Sequence, residues 1–372
     1  MTADPGRARR RWENLLGLPR RGRPGVGATP ADAVLRENKY TLWRYRPGPE
    51  GVRFETPVLL VPSLINRHYV LDLQPGRSFA EYLVSRGHEV FILDWGTPGP
   101  EDRHLTFDDV CDGYLGRAVR WCAKGAPRGK AHLLGYCLGG TLAAVHAAAR
   151  PERVASLVAL AAPVRFDDTG LLSRWSRVPT VDLGALVEAL GNVPWQLMQS
   201  AFHMLRPTLS LSKAAQLLDR AWDDEFLDGF LALETWGNDN VSFPGAAFRQ
   251  YIQHLYREDA LVKGTLTLGG RPARLEGIRC PTLAITFEHD TIVPVSSAAA
   301  LLDHLTVPDR ERIHLSGGHV GAVVSRKAAQ TLWPRVSAWW AARDRETPEA
   351  PPAPPEDPRP VKAPRRKRAP SR

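Results

Sequence analysis

Short apolar runs between helical patterns constrain the fold of this chain most. Six runs are rich in Val, Ile and Leu and show little polar alternation, at residues 57–64, 89–95, 131–137, 156–164, 282–290 and 312–319. Strands of this composition usually have both faces covered by helices. Helical patterns fill the intervals at residues 78–86, 108–123, 138–149, 296–305 and 328–343. This alternation predicts an α/β domain with a mostly parallel, doubly wound sheet.

The strand spacing is interrupted once, between residues 167 and 275. This region carries helical patterns with large apolar side chains, among them Trp175, Trp195, Trp222 and Trp236. We predict a catalytic domain over residues 26–344 in which 167–275 form a helical cap inserted over one end of the sheet. An aromatic stripe on helices is most often core packing, so a packing subdomain with no gating role remains the alternative.

The net charge of +9 lies in the two ends of the chain. Residues 1–24 hold seven Arg against two acids, and residues 345–372 hold eight Lys or Arg against four acids, which leaves the intervening residues neutral. A nucleic-acid-binding fold would need a basic face of its own, so no specific nucleic-acid partner is expected. We predict a flexible basic segment at 1–25 and a Pro-rich, basic, disordered tail at 345–372, either simply solvated or a tether to an anionic partner.

The four cysteines show no CxxC pairing and no regular spacing. A disulfide framework or a structural zinc site is therefore not expected, and reduced thiols suggest a cytoplasmic protein. No apolar stretch reaches the length of a membrane span, so no transmembrane segment is expected. The arginines near the N-terminus are not followed by the apolar run of a secretory signal.

The most informative motif is Gly-Tyr-Cys-Leu-Gly-Gly at residues 135–140. A strand pattern runs into it and a helical pattern of small residues runs out, which is the context of a nucleophile elbow. Glycines on both sides of Cys137 allow close backbone approach, and the following helix N-terminus favours a thiolate. Cys137 is therefore the candidate nucleophile; the alternative is a buried cysteine that serves only as a small apolar residue.

An acid and a base should follow the nucleophile in that chain order. Asp290 ends a predicted strand, and His319 follows the last one within Gly-Gly-His-Val-Gly. Each alone is weak, because an Asp at a strand end is often a cap and a His after two glycines is often in a plain turn. His289 and His314 are poorer candidates for the base, since His289 precedes the acid and His314 lies within an apolar strand.

The three residues together predict a Cys-His-Asp triad on an α/β-hydrolase fold. An oxyanion hole should then use the backbone N–H of Leu138, directly after the nucleophile. The second N–H should come from the loop after the first strand, where Leu64, Ile65 and Asn66 are candidates and Ile65 is preferred.

A cysteine at this elbow also constrains the reaction. Its thiolate is a strong nucleophile and a good leaving group, and its acyl-thioester is close in energy to that of acyl-CoA. Acyl transfer to a hydroxyl is therefore favoured over simple hydrolysis, although some hydrolases use cysteine too.

Longer segments then point to a known family. Residues 62–78 read PSLINRHYVLDLQPGRS, residues 93–96 read LDWG and residues 105–109 read LTFDD. Together with the motifs around Cys137, Asp290 and His319, they resemble polyhydroxyalkanoate synthases whose short catalytic subunit works with a second subunit, termed class III. The resemblance covers most of the chain, and the long Asn-Arg to Leu-Gln-Pro segment is its most specific part.

The resemblance implies polymerisation of (R)-3-hydroxyacyl-CoA, with 3-hydroxybutyryl-CoA as the leading candidate, to a polyester with release of CoA. It implies that His319 takes the proton of Cys137 and, with Asp290, activates the hydroxyl that attacks the acyl-thioester. It implies no cofactor or metal, and it implies a polyester granule and a second non-catalytic subunit or a homo-oligomer as partners. The Pro-rich basic extension departs from the family and leaves the mode of attachment open.

Two other functions fit the same residues. An acyl-CoA thioesterase or a polyester depolymerase would hydrolyse its substrate on the same triad, and a non-catalytic scaffold subunit would keep the fold without activity. The intact triad argues against the scaffold. The reaction product separates the synthase, which makes insoluble polymer, from the thioesterase, which makes free acid.

Truncation after Arg345 should leave CoA release from soluble substrate nearly unchanged, because the neutral central residues hold all the candidate catalytic groups. It should weaken co-sedimentation with polyester granules at low salt more than at high salt, since attraction between exposed charges is screened. Identical sedimentation of full-length and truncated protein in both buffers would leave the tail without a binding role.

Overall fold

The computed structural model describes residues 4–22 and 25–344. Its strands are β1 Ala31–Glu37, β2 Tyr40–Tyr45, β3 Val58–Val61, β4 Val90–Asp94, β5 Ala131–Tyr136, β6 Val154–Leu160, β7 Thr267–Leu268, β8 Arg271–Pro272, β9 Thr282–Phe287 and β10 Arg310–Leu315. Its α-helices are α1 Pro5–Gly17, α2 Phe79–Ser85, α3 Gly116–Gly125, α4 Leu138–Ala149, α5 Leu171–Ser176, α6 Leu183–Leu190, α7 Trp195–Leu205, α8 Leu209–Arg220, α9 Asp224–Asn238, α10 Gly245–Gln250, α11 Val295–Asp303, α12 Gly321–Val324, α13 Arg326–Thr331 and α14 Trp333–Ala341. Two π-helical turns, Asp109–Leu115 and Tyr251–Arg257, lie directly before α3 and after α10.

Eight strands form one sheet in the order β1-β2-β4-β3-β5-β6-β9-β10. Within this sheet, the pairs β4–β3, β3–β5, β5–β6, β6–β9 and β9–β10 are parallel, whereas the pairs β1–β2 and β2–β4 are antiparallel. The six strands predicted from sequence are the six parallel ones; each is shorter than predicted, and β6 and β10 begin two residues earlier. The antiparallel pair β1–β2 was not predicted, because its residues mix apolar, polar and charged types and only three of its thirteen residues are buried.

The core lies in two layers, one on each face of the sheet. Strands β3, β5 and β9 are fully buried along their whole length, as expected for strands covered by helices on both faces. Residues of α3 and α4 pack on one face, and residues of α2 and α14 pack on the other. Helix α4 is the most enclosed of these, since all twelve of its residues are buried. This burial fixes the helix that follows Cys137.

The region predicted as a helical cap contains helices α5 to α10. The same region ends in the small hairpin β7–β8, which the sequence did not predict because each strand has two residues. Apolar residues from Phe243 to Leu268 belong to the buried core on the α4 face. Helices α5 to α9 are less buried and hold most of the exposed apolar side chains of the described chain.

The N-terminal segment differs from its prediction as a flexible stretch. Residues 5–17 form α1, which begins at the cap Asp4, whose carboxylate accepts a hydrogen bond from Gly6 N, with a proline at the first helical position. Arg10 pairs with Asp224 at 2.6 Å and Arg21 pairs with Asp228 at 2.8 Å. Composition alone could not reveal these contacts, because the acidic partners lie about two hundred residues away in α9.

Within residues 4–22 and 25–344, no helix is long and apolar enough to cross a membrane. The predicted Pro-rich tail at 345–372 lies outside the described residues.

Candidate active site

Cys137 sits at the turn between β5 and α4, where a nucleophile elbow places its nucleophile. Its backbone adopts φ 55° and ψ −130°, a conformation that residues other than glycine rarely take. Its N–H donates to the carbonyl of Leu160 at 2.9 Å, and its own carbonyl accepts from Gly140 N at 2.8 Å. These bonds at both ends hold the strained residue in place, with its thiol partly exposed at the carboxyl end of the sheet.

The glycines of the motif are required by close backbone approach. A Cβ atom at Gly135 would overlap the Cα of Gly140, and a Cβ at Gly139 would overlap the carbonyl oxygens of Val61 and Pro62. Helix α4 therefore packs directly on the backbones of β5 and of the residues after β3. These glycines predict an elbow from the sequence. In the structure they let α4 approach the backbones of β5, Val61 and Pro62.

Asp290 and His319 meet beside Cys137 although they are 29 residues apart. Asp290 follows β9 and His319 follows β10, and these strands are parallel neighbours in the sheet. The His319 Nδ1 to Asp290 Oδ2 distance is 2.7 Å, and both side chains are almost completely buried. The second carboxylate oxygen, Oδ1, accepts from the N–H groups of Ile292 at 2.9 Å and Val293 at 2.8 Å. The carboxylate is thereby fixed in orientation.

The two nitrogens of His319 face different partners. A carboxylate only accepts hydrogen bonds, so Nδ1 carries the proton that it donates to Asp290. Because Nδ1 is taken by Asp290, Nε2 is the nitrogen left for the Cys137 sulfur, whose interaction with the imidazole raises the pKa of His319. The order Asp290, His319, Cys137 is the arrangement of a nucleophile, its base and the group that orients the base.

The electrostatics of this group favour a charged pair. Burial lowers the pKa of His319, but the Cys137 thiolate and the hydrogen-bonded Asp290 carboxylate outweigh it and raise that pKa to about 10. When Cys137 is ionised, the imidazolium is therefore the stable form of His319. The side chain of Tyr136 lies against the imidazole with ring centroids 5.2 Å apart, and its hydroxyl donates to the His319 carbonyl at 3.2 Å.

The alternative histidines lie elsewhere. His314 is on β10, and its Nδ1 is 2.9 Å from the hydroxyl of Thr286 on the neighbouring strand. The side chain of His289 is 70% exposed and lies 3.9 Å from Glu288. Neither contacts Asp290 in the described hydrogen bonds.

Cys137 also differs from the other three cysteines. Cys111, Cys122 and Cys280 are buried, and burial raises the pKa of each of these thiols. Cys137 is partly exposed. Among residues 4–22 and 25–344, no group of three or more His, Cys, Asp or Glu side chains is arranged to hold a metal ion.

A cavity of about 260 Å³ opens beside Cys137. Both residues predicted for the oxyanion hole, Leu138 and Ile65, line it, whereas Leu64 and Asn66 do not. Leu138 is the first residue of α4, so its N–H has no partner within the helix. The cavity is otherwise walled by apolar side chains of the cap, including residues of α5, α6 and α7.

Two tyrosines supply most of the polarity of this cavity, and the sequence did not single them out. Tyr251 and Tyr256 both line it, and their rings meet edge to face with centroids 5.5 Å apart. Both belong to a π-helical turn, in which residues five apart lie over one another, whereas an α-helix would separate them. Burial raises the pKa of both phenols, so they remain neutral hydrogen-bond donors.

The long segment at residues 62–78 joins the cap to the body. Arg67 Nε lies 2.9 Å from Asp239 Oδ1, and the Tyr69 hydroxyl donates to Asp239 Oδ2 at 2.8 Å. The amide of Asn66 donates to the side chain of Asn240 at 2.5 Å. Asp239 and Asn240 directly follow α9, so this segment fixes one end of the cap helices. Their role could not be read from the sequence, since nothing near Asp239 marks it as a partner.

The second half of the same segment ties the N-terminal strands to the body. The buried carboxylate of Asp72 accepts hydrogen bonds from Thr29 at 2.5 Å, Ser78 at 2.6 Å and Tyr45 at 3.3 Å. Ser78 also caps helix α2, accepting from Glu81 N. These contacts explain in structural terms why so long a segment has a specific sequence.

Two family models match the chain. One, described as the alpha/beta hydrolase fold, matches residues 56–324, and confirms the predicted fold. The other, described as the N-terminus of poly-beta-hydroxybutyrate polymerase (PhaC), matches residues 22–83, which include the long segment at 62–78.

Three similar proteins have the same name. The chain is 36% identical over 318 residues to the poly(3-hydroxyalkanoate) polymerase subunit PhaC of Allochromatium vinosum, which covers 84% of this chain and 89% of that protein. It is 35% identical over 338 residues to the subunit of that name from Synechocystis, covering 89% of each chain. The subunit of that name from Haloferax mediterranei is 34% identical over 366 residues, covering 95% of this chain and 74% of that one.

Replacing Cys137 with Ala should lower the pKa of His319, because the thiolate charge is the largest contribution that raises it. The imidazolium would then lose its proton at a lower pH, which NMR titration of the histidine ring protons can follow. Cys280→Ala is the matched control, since Cys280 is buried outside this cavity. An unchanged His319 titration in Cys137→Ala would contradict the charged pair.

Proposed function

This chain belongs to the poly(3-hydroxyalkanoate) polymerase subunit PhaC family, and we propose that it polymerises (R)-3-hydroxyacyl groups from CoA thioesters into a polyester. The leading substrate is 3-hydroxybutyryl-CoA. The observation that supports this most is Cys137 at a strained elbow, interacting electrostatically with His319, which is in turn 2.7 Å from Asp290. The CoA thioester is the substrate, and the proposal needs no metal or cofactor.

Acylation is the first step. The thiolate of Cys137 attacks the thioester carbonyl, and the new bond to sulfur forms as the carbonyl oxygen gains negative charge. The N–H groups of Leu138 and Ile65 would stabilise that oxyanion. The bond to the CoA sulfur then breaks, and CoA leaves with the proton of His319. The products are an acyl-thioester on Cys137 and a neutral imidazole.

Transfer is the second step. His319, held by Asp290, takes the proton of a 3-hydroxyl from another hydroxyacyl group. The hydroxyl oxygen attacks the thioester carbonyl, an ester bond forms, and the bond to the Cys137 sulfur breaks. The thiolate and the imidazolium are restored together, which is the charge state that the electrostatics of the site favour.

The apolar surroundings of Cys137 favour this transfer over hydrolysis. The acyl-thioester would lie in a cavity whose described lining is largely aliphatic and aromatic, where water has few hydrogen-bonding partners. A hydroxyl delivered on an acyl chain would be held there by apolar contact. We extend the proposal to a cytoplasmic enzyme at a polyester granule, with a second non-catalytic subunit or a homo-oligomer as partner.

Incubation of the chain with (R)-3-hydroxybutyryl-CoA should release CoA and deposit insoluble polyester. Cys137→Ala should reduce CoA release by several orders of magnitude, as loss of the nucleophile does in other triads. Cys280→Ala should retain the activity, since that thiol lies outside the cavity. The measurement is CoA release with isolation of the product.

Free 3-hydroxybutyric acid in an amount equal to the released CoA would identify a thioesterase instead. A folded wild-type chain that releases no CoA would favour the scaffold. Wild-type turnover by Cys137→Ala would exclude the proposed nucleophile.

A further inference from the structure

The cavity at Cys137 does not end beneath the cap. Its lining runs from Cys137 and Leu138 to Val181, Leu197 and Met204. These last three side chains are also exposed on the outer surface, by 42%, 47% and 57% respectively. The cavity therefore connects the thiol to solvent through a mouth formed by apolar side chains of the cap.

Helix α7 forms one wall along this path. Leu197, Met198, Ala201 and Phe202 line the cavity, and their spacing of one, three and one residues places them on one face of the helix. The wall continues to Met204 at the C-terminal end of the helix. An apolar surface thus extends from beside Cys137 to the exterior.

The apolar lining of the cavity disfavours binding of the nucleotide end of the CoA substrate. Apart from the reactive Cys137, none of the described residues around this cavity is acidic or basic. The nucleotide end of CoA carries several phosphate charges, and burying such charges without cationic partners is strongly unfavourable. A polyester of hydroxyacyl units carries no charge and no hydrogen-bond donor along its chain, so it can pass such a wall at little cost.

The surface around the mouth has the same character. Of the eleven large apolar side chains that are exposed in the described chain, eight lie between residues 171 and 218. Soluble domains usually scatter such residues singly, and their concentration in one region marks an interaction surface. Three of the eight, Val181, Leu197 and Met204, also line the cavity at the thiol.

We infer that this path is where the growing polyester leaves Cys137, and that Val181, Leu197 and Met204 form the exit for the apolar chain. The inference rests on the proposed function, because it needs a polymer attached to Cys137. CoA, by contrast, would keep its charged end outside the apolar path. The exit would thus deliver the product onto the exposed apolar surface of the cap.

Leu197→Glu and Met204→Glu test this exit, because each puts a charge in the path of the polymer. Two rates are measured with (R)-3-hydroxybutyryl-CoA: the first-turnover release of CoA and the steady-state release during elongation. We expect the ratio of elongation to first turnover to fall about tenfold or more, with polymer of lower molar mass, since an apolar chain must pass a charged carboxylate at the mouth. Leu197→Gln, which adds polarity without charge, should give a smaller effect.

Leu211→Glu is the matched control. Leu211 is 73% exposed on α8 of the same cap but does not line the cavity. The Leu211→Glu variant should have both rates and the polymer mass of the wild type. Circular dichroism and light scattering check that each variant is folded and has the oligomeric mass of the wild type.

Three results would overturn the exit. One is polymer of wild-type mass from folded Leu197→Glu and Met204→Glu proteins. Another is an equal loss in both rates, which would place the incoming substrate in this path. The third is a changed oligomeric mass, which would make the surface a contact between copies of the chain. Free acid instead of polymer from the wild type would refute the proposed function separately.

Discussion

The close packing of helix α4 on the backbones beside it determines the rest of the site. Glycines at 135, 139 and 140 remove the side chains that would keep this helix away from β5, from the end of β3 and from Ala162 after β6. Because the helix is pressed against the sheet and wholly buried, the residue that joins β5 to α4 must turn sharply. That residue is Cys137, and its positive φ is the conformational cost of the turn.

A charged group beside this turn needs a partner of opposite charge or a hydrogen-bond partner, and the site provides a chain of such partners. The thiolate has the His319 imidazolium beside it, the imidazolium has the Asp290 carboxylate, and the carboxylate has two backbone N–H groups. Each group is satisfied by the next, so the low polarity of the surrounding cavity strengthens the whole set. The apolar walls that would hold an acyl chain are therefore compatible with charges at the reacting atoms.

Much of this site could be predicted from sequence because its signals are local. The glycines around Cys137 are adjacent to it, and Asp290 and His319 each directly follow a strand that the apolar pattern identifies. The parallel order of the sheet then places the carboxyl ends of these strands together. The exact oxyanion-hole residues were less determined, and the structure places Ile65 but not Asn66 in the cavity lining.

Other features of the structure could not be predicted from the sequence, because they depend on partners that lie far away along the chain. The N-terminal segment was expected to be flexible because its composition is basic, but the acids that pair with its Arg10 and Arg21 lie in α9. The bonds from Arg67 and Tyr69 to Asp239 similarly join segments about 170 residues apart. The pairing of Tyr251 with Tyr256 depends on a π-helical turn, which has no reliable local signal.

The most direct test of a thioester-forming triad is to detect the acyl group on the protein. After rapid mixing with one equivalent of (R)-3-hydroxybutyryl-CoA, peptide mass spectrometry should locate the acyl group on Cys137 in the wild type. His319→Gln should not form this adduct at a measurable rate, whereas Asp290→Asn should form it and fail at elongation, because Asp290 mainly orients the base. An adduct on a different residue, or equal acylation rates in the wild type and His319→Gln, would contradict the mechanism.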